Sequence, residues 1–82
     1  MGKCYRVYAN FEGWKLLSIV QTPKQAYDLI QSVYYESAMF IVIEHDPVLN
    51  CDTPYKSIHR EQNLIDFKNE IIEQEKNKKL KN

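Results

Sequence analysis

The run Thr22-Pro23-Lys24-Gln25 constrains this chain more than any other. A threonine side chain can accept from the backbone N–H three residues on, and a glutamine at that third position can reach back to the threonine N–H. Proline suits the first helical position, where its missing N–H costs nothing. A helix therefore starts here. Ala26, Leu29, Ile30 and Val33 then fall on one stripe at 3.6-residue spacing. Tyr27 and Tyr34 sit on the shoulder of that stripe. Extended to an expected end near Ser37, the helix sets Tyr35 opposite Ala26, beside Lys24 and Asp28.

Strand-like patterns stand on both sides of this helix. Tyr5, Val7, Ala9 and Phe11 alternate with Cys4, Arg6, Tyr8 and Asn10, the pattern of a half-buried strand. Glu12-Gly13 offers a turn, and the run from Trp14 to Gln21 completes a β-hairpin. Met39-Phe40-Ile41-Val42-Ile43 is continuous and rich in β-branched residues, which predicts a central strand with both faces largely covered. Glu44 to Pro47 ends it, and an irregular stretch follows to Pro54. Tyr55 to His59 reads as a short edge strand. A second helix starts at Asn63. Leu64, Ile65, Phe67, Ile71 and Ile72 share one half of its wheel, and the lysines gathered at its end suit the helix dipole.

The expected fold class is α+β: a small single-layer sheet of three to four strands with two helices, in the order β-β-α-β-(β)-α. An N-terminal hairpin, a crossover helix and a central strand make up its first half. The second helix covers the same sheet face or extends past it. A chain of 82 residues is one small domain with a marginal core. Residues 1–78 are assigned to that domain, and 79–82 to a frayed tail.

Composition then narrows the function. Eleven basic residues balance eleven acidic ones, which excludes a polyanion-binding surface over the whole molecule. The longest apolar run, Ala38 to Ile43, is far too short to span a membrane. The first residues lack the apolar core of a signal peptide. A soluble cytoplasmic protein with reduced thiols is the expectation. With only Gly2 and Gly13, no glycine-rich phosphate loop exists. His45, Cys51 and His59 lack the closely paired ligands of a structural zinc site, so a polar loop is expected and no metal. Cys4 or Cys51 could meet His45 or His59 as a dyad, but no catalytic signature surrounds them. No catalytic residue, cofactor or small-molecule substrate is assigned.

The aromatics stand out. Six tyrosines, three phenylalanines and one tryptophan make up 12% of the chain, more than so small a core can hide. Exposed tyrosine and tryptophan favour interfaces. The leading expectation is a non-enzymatic binding or regulatory protein that works by protein contact, with another protein or as a homodimer. Trp14, Tyr35, Ile65 and Ile72 are the candidate contacts. The ordinary alternatives are that Trp14 caps the core and that the second helix docks on its own sheet. Ile58, Ile65 and Ile72 are spaced by seven, too few steps for a coiled coil. A second class is a nucleic-acid-binding module with Arg6, Tyr8 and Lys15 on an exposed strand face and Lys78 and Lys79 in the tail. Its weakness is that few phosphates could be neutralised.

Overall fold

The computed structural model describes residues 2–35 and 37–80. Its elements are β1 (Cys4–Asn10), β2 (Trp14–Val20), α1 (Pro23–Val33), β3 (Met39–Asp46), β4 (Cys51–Ile58) and α2 (Glu61–Leu80). The strands form one sheet in the order β2-β1-β3-β4, with every neighbouring pair antiparallel. β2 and β3 therefore run parallel with β1 between them, and α1 is the crossover that joins them. This is the expected α+β class, with the fourth strand present.

The core lies between the sheet and the two helices. β1 contributes Tyr5, Val7 and Ala9, β3 contributes Phe40 and Val42, and β4 contributes Ile58. Ala26 and Ile30 of α1 and Leu64, Phe67 and Ile71 of α2 close over them. Edge-on packing of Tyr27 against Phe67, with ring centroids 5.8 Å apart, joins the helices. All of this sits on one face of the sheet.

Local chemistry explains the connections. At the first hairpin, Gly13 takes φ +123°, a conformation that glycine adopts without steric penalty. Its N–H donates to Asn10 Oδ1 at 2.9 Å. At α1, the Gln25 N–H donates to Thr22 Oγ1 at 3.1 Å, and the Thr22 N–H donates to Gln25 Oε1 at 3.2 Å. The capping box is complete, with Pro23 inside it.

Four expectations need correction. First, α1 stops at Val33 rather than near Ser37, because Tyr34 turns extended (ψ 137°). The valine and two tyrosines at this end are weak helix formers, and their rings find better partners. Tyr34 lies against Phe40, and Tyr35 stacks on Phe11 at 5.5 Å. Tyr35 is thus off the helix, and its predicted place beside Lys24 and Asp28 is lost.

Second, β3 is central but covered on one face only. Phe40 and Val42 are fully buried, while Ile41 and Ile43 on the other face remain partly exposed. Third, the stretch expected to be irregular is a second hairpin. Asp46 Oδ1 accepts from the N–H groups of Val48 and Leu49 at 2.9 and 3.2 Å, and Asn50 takes φ 51°. β4 accommodates Pro54 because it is an edge strand with a bulge, where Tyr55 is skipped between Pro54 and Lys56.

Fourth, α2 begins two residues before Asn63, whose side chain reaches back to accept from the His59 and Arg60 N–H groups. Ile58 is buried in β4, so it is no part of a helical seven-residue band. Lys81 and Asn82, the end of the expected tail, lie outside the described residues.

Candidate protein-binding surface on the open sheet face

Side chains alternate along a strand. With both helices on one face, every second residue of each strand is left on the other. Strand register arranges these residues in rows. Trp14, Asn10 and Met39 form one, and Leu16, Tyr8 and Ile41 the next. Ile19, Arg6 and Ile43 form the third, and Cys4, His45 and Asp52 the fourth. β4 extends the two middle rows with Ser57 and Pro54, and these rows are apolar but for Arg6, Ser57 and the tyrosine hydroxyl. Trp14, Leu16 and Ile19 on the edge strand are 47%, 49% and 52% exposed. Beside them lies a shallow depression of about 450 Å³ lined by Arg6, Tyr8, Trp14, Ile41, Ile43 and Asp52.

The charges on this face are matched among themselves. Asp52 Oδ1 lies 2.7 Å from His45 Nδ1, and Asp52 Oδ2 accepts from Arg6 Nη1 at 3.0 Å. The hydrogen bond with His45, followed by that with Arg6, holds the Asp52 carboxyl below its ordinary range. Asp52 in turn raises the Arg6 guanidinium. On the opposite face, the Tyr5 hydroxyl donates to Glu44 Oε2 at 3.3 Å. Burial, and then the Glu44 charge, push the Tyr5 phenol up to about 12.

The sequence candidates divide among separate places. Trp14 stands on the open face. Tyr35 is half-exposed at the α1–β3 connection, stacked on the helix-side Phe11. Ile65 and Ile72 are 42% and 41% exposed on α2, while Leu64, Phe67 and Ile71 make its contact with the core. The four do not form one surface. Of the nucleic-acid set, Arg6 and Tyr8 share the open face, but Lys15 pairs with Ala9 and so belongs to the helix side. This corrects the expectation that Lys15 lies beside them. Lys78 and Lys79 fall in the last turn of α2, in the other layer.

Cys51 opens β4 and His59 follows its far end, about 26 Å away at strand spacing. Among the described residues, no group of three His, Cys, Asp or Glu has metal-holding geometry. Cys4 and Cys51 are both free thiols.

Sequence reasoning missed Leu16, Ile19, Met39, Ile41 and Ile43 as surface residues. The signal was available. β2 and β3 are apolar at consecutive positions, so with one layer of helices their outer face stays apolar too.

The fold and the face define a two-layer α+β domain whose sheet is bare on one side. No family model, curated protein or solved structure matches the chain. Among the described residues, no helix is long and apolar enough to cross a membrane.

Proposed function

We propose that this chain is a non-enzymatic binding module that acts by protein–protein contact, and that the open sheet face is its working surface. One observation carries the reading: Trp14, Leu16 and Ile19 stand exposed on β2, and Tyr8, Ile41 and Ile43 continue the same sheet face, which neither helix covers. The face spans four strands and about seven residues, on the order of 19 by 23 Å. Exposed apolar clusters on small proteins are commonly functional. A cytoplasmic setting accords with the two free thiols.

Nucleic acid is the weaker alternative. Arg6 already gives its charge to Asp52, and Lys15 lies on the other side of the sheet. Phosphate binding needs several uncompensated cations on one surface.

Capture from nuclease-treated cell lysate, with the tagged protein beside its Ile41→Glu variant, tests the reading. The wild type should retain a stoichiometric protein, an untagged copy of itself included, and the variant should lose it while keeping its circular dichroism spectrum. Equal retention by both, or capture that disappears with nuclease, contradicts the reading.

A further inference from the structure

We infer that Cys4, His45 and Asp52 form a thiol-exchange site: Cys4 reacts with low-molecular-weight disulfides, and His45 takes its proton. The site occupies the fourth row of the open face, and its chemistry is independent of whatever docks on the middle rows.

Strand register brings the three residues together from distant parts of the chain. Cys4 of β1 stands opposite His45 of β3, and His45 stands opposite Asp52 of β4. Residues directly opposed across an antiparallel pair have Cβ atoms about 5 Å apart. The histidine therefore sits between a thiol on one side and a carboxylate on the other. A nucleophile, a base and a group that orients the base are the three parts an activated thiol needs.

Hydrogen bonding fixes the roles. The Asp52 carboxyl is held below its ordinary range, first by its bond to His45. Ionised near neutrality, it can only accept a hydrogen bond. The proton in its 2.7 Å contact with His45 therefore sits on Nδ1, which leaves Nε2 as the basic nitrogen. The Cδ2–Nε2 edge of an imidazole lies across the ring from Nδ1. With Nδ1 turned to β4, that edge is on the β1 side, where Cys4 stands.

The second cysteine supplies a contrast within the same molecule. Cys51 is exposed, whereas Cys4 is half-buried. Cys51 opposes Asp46 rather than a histidine. Exposure alone makes Cys51 the faster thiol; the neighbours make it Cys4.

The exchange balances without a further reactant. The Cys4 proton passes to His45 Nε2, and the sulfur bonds to one sulfur of the incoming disulfide. The disulfide's own S–S bond breaks, and its other half departs as a thiolate that is protonated by His45 or water. Cys4 is oxidised and the departing half is reduced. The other charged groups at this end of the face are Arg6 of β1 and Asp52 of β4, already paired with each other. Ile19 of β2 adds no charge.

The neutral chromogenic disulfide dithiodipyridine tests the site, with the rate followed by absorbance of the released thione. Cys51→Ser isolates Cys4, and Cys4→Ser isolates Cys51. Cys4 should react at least about tenfold faster than Cys51 near pH 7, and mass spectrometry should find one mixed disulfide on it. Adding His45→Asn should slow Cys4 by about tenfold or more near pH 7. That gap should close as pH rises to about 10, where thiols ionise unaided. Circular dichroism confirms folding, and should His45→Asn fail to fold, Asp52→Asn carries the same pH comparison.

Cys51 reacting as fast as Cys4, or a Cys4 rate unchanged by His45→Asn, overturns the inference. So does a gap that stays constant up to about pH 10, because the histidine would then only shield the thiol.

Discussion

At the residue scale, Asp52 decides the character of the open face. It accepts from Arg6 and pairs with His45, so the one arginine on this face is already matched. Its depressed pKa has a consequence of definite sign. A carboxyl whose folded pKa lies below its unfolded value stabilises the fold above the unfolded value and stops doing so as pH falls through the folded one. The ordinary value is 3.8. Denaturant midpoints should therefore separate wild type from Asp52→Asn near neutrality, and the gap should close as pH drops below 3.8. A gap that widens with acid contradicts this account of Asp52.

Tyr5 shows the opposite sign. Its phenol is raised from 10.0 to about 12, so its stabilising effect is complete below 10.0 and fades as pH rises towards 12. Ultraviolet titration of the folded protein should find one of the six tyrosines resisting ionisation until about pH 12, and Tyr5→Phe should remove that late step. Six tyrosines all ionising together near 10 would contradict the burial of Tyr5.

At the element scale, the strongest local signal proved the most faithful. Thr22, Pro23 and Gln25 form the capping box that their spacing implies. Thr22→Ala should cost about 1 kcal/mol of stability in chemical denaturation. A change below about 0.3 kcal/mol would mean that tertiary packing alone holds the start of α1.

The same helix shows where sequence reading stops. Its beginning is written in backbone hydrogen bonds between near neighbours. Its end depends on Phe11 and Phe40, which Tyr35 and Tyr34 leave the helix to meet, and no local pattern reports those partners. β4 was obscured in the same way. Proline argues against a strand unless the strand is an edge, and edge position is a property of the whole sheet. Met39 to Ile43 was legible as a strand and as central, but its continuous apolarity suggested cover on both faces. Only the placement of both helices shows that the outer half of that pattern faces nothing.

At the scale of the whole molecule, the fold is a slab measuring 44 × 29 × 16 Å, one sheet deep and one helix layer deep. A two-layer domain of this size protects one side of its sheet and no more. α2 would span about 30 Å at helical rise, more than a seven-residue strand reaches. Among the residues whose burial is described, its last buried one is Ile71, and residues 72–77 are exposed. The helix therefore adds length beyond the sheet but no cover for its far side. Of the protein-contact candidates read from sequence, only Trp14 lies on the open face, because exposure along a strand depends on which side the helices choose. Tyr35 and the α2 isoleucines stand out only on helical wheels, and α1 ends at Val33, too early for its wheel to include Tyr35.

Trp14 is the only tryptophan in the chain and stands on the face in question. Its fluorescence therefore tests the central claim most directly, read as the protein is concentrated or saturated with a binding protein. The emission maximum should move to the blue as the complex forms, and Ile43→Glu should abolish that shift. An emission that stays at the solvent-exposed position while the particle mass rises would show that contact is made elsewhere and would contradict the account.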